Sequence, residues 1–386
     1  MTHAPDLTVE RRSPLHREHL AAGAVMVPFA GWAMPLRYSS DLAEHQAVRQ
    51  AAGIFDLSHM GEIRVAGRQA GAALDYALVG HLSAVPVGRA RYTMICAADG
   101  GVLDDLVVYR TGVDAYLVVA NASNAAVVLA ELADRCAAFE AAVTDESAQT
   151  ALIAVQGPRA EEIVTSVTAP DDVGAVTTLG YYTGLGATVA GVRALAARTG
   201  YTGEDGFELF VPAEQAAGLW RALLAAGEPH GLVPAGLSAR DSLRLEAGMP
   251  LYGNELDRTT TPYDAGLGRV VKLDKTGADG QPLEFVGRGP LATRKGAEPA
   301  RLLVGLQGLG RRAARHGYPV VMAAARPGTV VGHVTSGAPS PTLGHPIAMA
   351  YVTPEVSGAG TELAVDVRGR IEPVRVVPLP FYRRPR

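Results

Sequence analysis

The stretch Asp99-Gly100-Gly101-Val102-Leu103-Asp104-Asp105-Leu106-Val107-Val108-Tyr109 joins a turn, two adjacent carboxylates and a strand. Gly100 and Gly101 have access to backbone angles closed to residues with side chains. Residues 106–109 are rich in strand formers. Alternation puts Asp105, Val107 and Tyr109 on one face and Asp104, Leu106 and Val108 on the other. One carboxylate therefore points toward an apolar layer, where it needs partners or a chemical task. Residues 91–97 read as a preceding strand, so the Asp-Gly-Gly turn closes a hairpin. Tyr92 then lies across from the strand carrying Asp105 and Tyr109, with the register left open.

The chain around this hairpin has 386 residues, room for two or three domains. Hydrophobic residues make up 48%, enough for a sizeable core. A formal net charge of -4 and a pI of about 6.2 give no overall case for a nucleic-acid partner. The two cysteines, Cys96 and Cys136, lack metal spacing and need no oxidising compartment. The N-terminus lacks an apolar signal-peptide core, and no run of eighteen apolar residues offers a membrane span. The expectation is a soluble cytoplasmic protein without a membrane partner.

On the N-terminal side of the hairpin, residues 1–12 read as a loose polar start and residues 14–22 as a short helix stopped by Gly23. Two prolines and a glycine in residues 25–36 predict a dense apolar loop. Residues 41–52 suit a helix, with Asp41 as N-cap and Gly53 as its stop. Residues 54–65 read as strand-turn-strand and residues 67–79 as a second helix. On the C-terminal side come a strand over 115–120, a helix over 124–139 capped within Asn121-Ala122-Ser123-Asn124, and a strand over 151–155. Further helices are expected over 159–167, 214–226 and 236–246, the last capped by Ser238, and strands over 188–196 and 207–211. This order implies an α+β fold rather than repeated βα units. Composition shifts near residues 295–299. Short strands then follow at 302–306, 318–322, 330–335, 347–352, 362–367 and 372–377, a small all-β barrel or sandwich.

Several standard chemical signals are missing. There is no dinucleotide glycine motif, no phosphate loop and no full calcium loop. The histidines have no zinc spacing, so no metal is expected. Ser58-His59 and Ser336 form no nucleophile elbow. What stands out is tyrosine and acid beside glycine turns. Tyr92, Tyr109, Tyr181 and Tyr201 offer flat surfaces. Asp105 and Glu208 offer acceptors for a heterocycle with several N–H donors. Arg240 and Arg383 offer forks for a carboxylate tail. The competing readings are core packing for each tyrosine and solvated charge for each arginine.

From residue 14 to residue 383 the chain resembles the glycine cleavage T-protein family, the tetrahydrofolate-dependent aminomethyltransferases. The matching pieces occur in order: Phe29-Ala30-Gly31-Trp32-Ala33-Met34-Pro35, Phe55-Asp56-Leu57-Ser58-His59-Met60-Gly61, Gly100-Gly101-Val102-Leu103-Asp104-Asp105-Leu106, Gln156-Gly157-Pro158, and Arg198-Thr199-Gly200-Tyr201-Thr202-Gly203-Glu204-Asp205-Gly206-Phe207-Glu208. They continue with Gly236-Leu237-Ser238-Ala239-Arg240-Asp241, Thr335-Ser336-Gly337, Ser340-Pro341-Thr342-Leu343-Gly344 and Pro380-Phe381-Tyr382-Arg383. Departures are confined to Ala338-Pro339 and Gly289-Pro290, which bear on loop shape.

The resemblance implies three domains around a central folate pocket. Two intertwined α+β domains would occupy residues 13–296 and a C-terminal β barrel residues 297–383. Asp105 matches the family's catalytic aspartate and Glu208 its pterin-binding glutamate. Tyr92, Tyr109, Tyr181 and Tyr201 match folate-pocket tyrosines, with Tyr182 as the alternative to Tyr181. Met60 and Asn121 match pocket residues. Arg240 matches an arginine near the folate glutamyl carboxylate, and Arg383 one at the pocket mouth. Tetrahydrofolate would be the one-carbon acceptor. The donor would be an aminomethyl group on the lipoyl arm of the glycine cleavage H protein, with other components of that system as indirect partners. The alternatives are a folate-dependent sarcosine or dimethylglycine demethylase and a non-catalytic folate-binding module. The Lys-Gly-Cys-type segment of relatives in tRNA modification and iron–sulphur assembly is absent.

Overall fold

The computed structural model describes residues 10–277, 279–323 and 328–385. In it the Asp-Gly-Gly turn closes an antiparallel hairpin between strands Ala90–Cys96 and Val102–Gly112. Gly100 takes a φ of +92°, a conformation L side chains rarely adopt. The register shifts between Ile95 and Cys96, leaving Leu103 unpaired as a bulge. The bulge puts Leu103 in the same apolar layer as Leu106 and Val108, where strict alternation would not. That layer packs under helices Ala70–Ala77 and Ala125–Cys136. On the opposite face, Val107 and Tyr109 pack against Phe55, Leu152 and Phe210.

Those last three residues belong to a second sheet, and the two sheets interleave along the chain. The five-stranded sheet runs in the order Ala90–Cys96, Val102–Gly112, Ala115–Ala120, Gly61–Ala66, Ala142–Asp145. The six-stranded sheet runs Gly184–Val189, Val192–Ala197, Gly206–Pro212, Thr150–Gln156, Ala52–Asp56, Leu232–Pro234. The chain enters the second sheet at Ala52–Asp56, leaves to build the whole of the first, and returns at Thr150–Gln156. Each sheet has its own core on its outer face. A third apolar layer lies between the sheets.

Residues from Leu302 onward close into a six-stranded antiparallel barrel in the order Leu302–Gly308, Pro346–Val352, Val330–Pro339, Pro319–Met322, Glu362–Val367, Arg370–Val377. The fold is thus an α+β body with a C-terminal barrel, and closure leaves that sheet without an open edge. Helix Leu237–Glu246 links the two parts. Ala239 and Leu243 enter the layer between the sheets, and Leu245 packs on Ile347 and Met349 of the barrel. No helix among the described residues is long and apolar enough to cross a membrane.

Four local expectations change. Residues 25–36 form no loop but a hairpin, Val25–Phe29 with Trp32–Arg37, turned at Ala30-Gly31 with positive φ at both. Its prolines are tolerated because Pro28 lies on an edge strand and Pro35 beyond the reach of the third strand, Arg11–Arg12. The polar start is therefore tied down at Arg11, while residues 1–9 lie outside the described residues. Helix Asp41–Gln50 is capped by Ser40, whose Oγ accepts from the Ala43 N–H, rather than by Asp41. Residues 188–196 hold a turn at Ala190-Gly191 between two strands instead of one strand. Helix Leu237–Glu246 begins after Gly236 without a cap from Ser238.

Candidate active site

The two carboxylates of the focal strand part as alternation requires. Asp104 is fully buried on the side of Leu106 and Val108. Asp105 lies on the same strand face as Val107 and Tyr109, opposite Met94, which packs with Leu256, Val271 and Phe285. The Tyr92 hydroxyl donates to Asp105 Oδ2 at 2.9 Å from the neighbouring strand. Asn121, just past strand Ala115–Ala120, donates through Nδ2 to Oδ1 of Asp105 and to Oδ1 of Asp104, each at 2.9 Å. Burial raises the Asp105 pKa above that of a free aspartate, against the lowering effect of the Tyr92 and Asn121 hydrogen bonds. Burial and the Asp105 charge push Asp104 up to about 7.

Across the layer, strand Gly206–Pro212 presents Glu208. Its Oε2 accepts from the Thr199 hydroxyl at 2.5 Å and from the Tyr109 hydroxyl at 3.2 Å. Those two hydroxyls are 2.8 Å apart. Glu208 of one sheet is thus bonded to Tyr109 of the other. Sequence reasoning missed Thr199, because its role depends on a contact with a residue ninety positions away.

Tyr201 sits beside this group, its hydroxyl bonded to the Pro250 carbonyl oxygen. The Arg240 guanidinium lies over the Tyr201 ring, 4.6 Å from the centroid. Among the described residues Arg240 has no carboxylate partner, whereas Arg244 on the same helix pairs with Asp241 and Glu255. Met60 packs against the layer that holds Tyr109 and Phe210. His59 is buried beside it with Nδ1 unpartnered. Burial first, and then the Arg240 charge, lower its pKa to about 4, so its imidazole is neutral near pH 7.

Two expected residues are placed differently. Tyr181 is 53% exposed, and the ring packed into the layer between the sheets is that of Tyr182. The backbone turns Tyr182 inward by taking a φ of +59°, which costs a non-glycine residue energy and needs surrounding support. Ala90 and Arg198 supply it through backbone hydrogen bonds on both sides of Tyr182. Arg383 is exposed and is not drawn into the cluster; it is Arg384 that pairs with Asp205, at 3.2 Å. Among the described residues no group of three His, Cys, Asp or Glu is placed to hold a metal ion. Two surface cavities of about 560 and 440 Å³ are lined by other residues, including Phe139 and Arg258 in one and Arg301 and His333 in the other.

The α+β body of two interleaved sheets with its C-terminal barrel is the aminomethyltransferase class of fold. The family model of the GCVT N-terminal domain matches residues 15–275, and that of the glycine cleavage T-protein C-terminal barrel domain matches residues 301–383. Aminomethyltransferases of Saccharopolyspora erythraea and Streptomyces coelicolor are each 60% identical, over 374 and 378 residues, covering 97% of this chain and 98% of each relative. The crystal structure of glycine cleavage system aminomethyltransferase T from Bartonella henselae superposes with a TM-score of 0.87 at 35% identity, over 97% of this chain and 99% of that one. The chain belongs to the glycine cleavage T-protein family of aminomethyltransferases.

Proposed function

We propose that this protein transfers a one-carbon unit from an aminomethyl group on a lipoylated carrier, the glycine cleavage H protein, to tetrahydrofolate. The products are 5,10-methylenetetrahydrofolate, ammonia and the dihydrolipoyl carrier. One observation carries the reading: Asp105, held by Tyr92 and Asn121, shares a strand face with Tyr109, which together with Thr199 holds Glu208 of the other sheet. Such a pair of anchored acceptors suits a flat molecule rich in N–H donors, and Arg240 beside Tyr201 suits its acidic tail. On this reading residues 13–296 form the folate-binding region and residues 297–383 the barrel domain.

In the transfer the carbon loses its bonds to sulphur and to nitrogen and gains two bonds to folate nitrogens. The two protons leaving those nitrogens balance the departing thiol and ammonia. The nucleophile is the acceptor itself, so no serine or cysteine of the protein is required. Asp105 stabilises positive charge as it develops on the carbon. Its raised pKa also makes it a stronger proton acceptor than a solvated aspartate. Glu208 orients the ring, and the tyrosines exclude water around it.

The test is ammonia release from a lipoyl carrier preloaded with the aminomethyl group, with and without tetrahydrofolate, while methylenetetrahydrofolate is followed. Folate-dependent ammonia release matched one-for-one by that product is the expected result. No stimulation by folate that is demonstrably bound would overturn the reading; turnover of sarcosine or dimethylglycine would then mark a demethylase, and its absence a binding module.

A further inference from the structure

We infer that Asp104 is a positioning residue that acts on the reaction through Asn121. The inference rests on the reading of Asp105 as the catalytic carboxylate. Asp104 is fully buried, and each of its hydrogen bonds is accepted from Asn121 or Asn124. Its Oδ1 accepts from Asn121 Nδ2 at 2.9 Å and from Asn124 Nδ2 at 2.7 Å, and its Oδ2 from the Asn121 backbone N–H at 2.9 Å. Asn121 is therefore gripped at both its side-chain and its backbone amide.

This grip sets the direction of the Asn121 side chain. Its Nδ2 donates to Asp104 Oδ1 and Asp105 Oδ1 at 2.9 Å each and also reaches the Asp105 backbone carbonyl oxygen at 3.2 Å. A half-turn of that amide would press its oxygen against two carboxylates. Asn121 is thereby a fixed donor to one oxygen of Asp105, and Tyr92 to the other. With both oxygens held, the Asp105 carboxyl plane is kept still as charge develops on the substrate.

A second observation supports a role beyond packing. Asn124 is the N-cap residue of helix Ala125–Cys136, yet its side chain caps nothing there and goes to Asp104 instead. Asparagine is among the residues that best cap a helix through the side chain. Forgoing that cap in favour of a buried carboxylate breaks a local rule, as happens at functional sites.

The experiment compares Asp104→Asn, Asn121→Ala and the double variant with the wild-type chain in the folate-dependent assay. Asp104→Asn keeps the shape and one acceptor oxygen, but sets an NH2 against either the Asn121 backbone N–H or the side-chain amides of Asn121 and Asn124, so the grip on Asn121 is broken on one side. It is expected to lower kcat roughly 10–100-fold, the scale of a misplaced catalytic group. KM for tetrahydrofolate should change less than about threefold, since uniform binding is left intact. In the Asn121→Ala background the same change should cost nothing further, because the route through residue 121 is gone. Equal losses in both backgrounds, or an unchanged kcat, would overturn the inference.

A readout independent of turnover is the carboxyl ¹³C titration of Asp105. The titratable groups around it are Asp104, Glu255 and the hydroxyls of Tyr92, Tyr182, Tyr201 and Tyr252. Burial raises all four tyrosines, so they stay neutral through the acid range, and Glu255 is paired with Arg244 at 2.9 Å. Loss of the Asn121 hydrogen bond raises the Asp105 midpoint and loss of the Asp104 charge lowers it, so the shift that Asp104→Asn produces in Asp105 is expected to lie higher in the wild-type background than in the Asn121→Ala background. An identical shift in both backgrounds would mean that residue 104 acted only as a neighbouring charge, and would overturn the inference. If that variant fails to fold, Asn124→Ala removes one hydrogen bond from Asp104 and should give the same changes in smaller size; no change would overturn the inference. An inactive wild-type chain would sink the functional reading alone, and the titration would still decide the role of Asp104.

Discussion

At the residue scale the proposed function divides the work between the two anchored carboxylates, and their substitutions should separate. Asp105→Asn keeps the bulk but removes the charge and the proton-accepting ability. It is expected to lower kcat about 10–1000-fold while tetrahydrofolate still binds. A loss below about threefold, measured by ammonia release, would count against the assignment. Glu208→Ala should act on affinity, since paired ring donors lose a charged acceptor and Tyr109 and Thr199 lose theirs. Calorimetry of folate binding should show a weaker Kd; an unchanged Kd removes Glu208 from the ligand site. The choice of Asp105 rested on the family resemblance, while the opposite faces of Asp104 and Asp105 were legible from alternation after the Gly-Gly turn. Thr199 and Tyr182 were not, because neither a hydroxyl partner far along the chain nor a positive φ leaves a local signal.

At the scale of the element, the hairpin turn is what aims the Asp105 strand. Gly101 lies against the loop over 257–260, where a Cβ would come within 2.2 Å of the Arg258 carbonyl oxygen. Backbone cannot yield as a flexible side chain does. Gly101→Ala is therefore expected to destabilise the fold by about 1–3 kcal/mol, the usual cost of overpacking. On the proposed function it should also lower kcat, because Val102, the next residue, is bonded to the Thr260 carbonyl and begins the strand that carries Asp105. Denaturant titration checks the first effect and the ammonia assay the second; wild-type values for both would show that the turn bends freely. The existence of this hairpin was plain in the sequence, whereas its bulge at Leu103 was not, since a bulge follows from the partner strand's register.

For the whole molecule, Glu246 joins body and barrel. It is fully buried and accepts from Ser340 Oγ at 2.5 Å and from Thr342 N and Oγ1 at 3.1 and 2.7 Å, all on the barrel side. From the body, Arg49 pairs with it at 2.8 Å and His45 at 3.1 Å. Burial alone would raise its pKa, but the donors His45, Ser340 and Thr342 outweigh burial and hold it at about 2. The folded value lies below the unfolded one, so the stability is present above the unfolded pKa. It is lost as pH falls from there through about 2. The full contribution is about 3 kcal/mol. Denaturant unfolding should therefore show Glu246→Gln less stable than wild type at neutral pH, with the gap narrowing in acid. A gap independent of pH would show that the carboxylate charge does not hold the barrel in place.

What the sequence by itself determined was local: the turn at Gly100-Gly101, the opposite faces of Asp104 and Asp105, most of the helices, and the run of short strands that became the barrel. These depend on backbone freedom and on side-chain periodicity within a few residues. The pairing of residues 25–36 into a hairpin was decided by a third strand, Arg11–Arg12, and by edge positions that accept proline. Only the tertiary structure decided that Tyr92 and Asn121 hold Asp105, that Tyr109 and Thr199 hold Glu208, and that Tyr182 rather than Tyr181 turns inward. The reason is physical. A buried carboxylate takes whatever donors the packing brings to it, and here interleaved sheets bring them from distant parts of the chain.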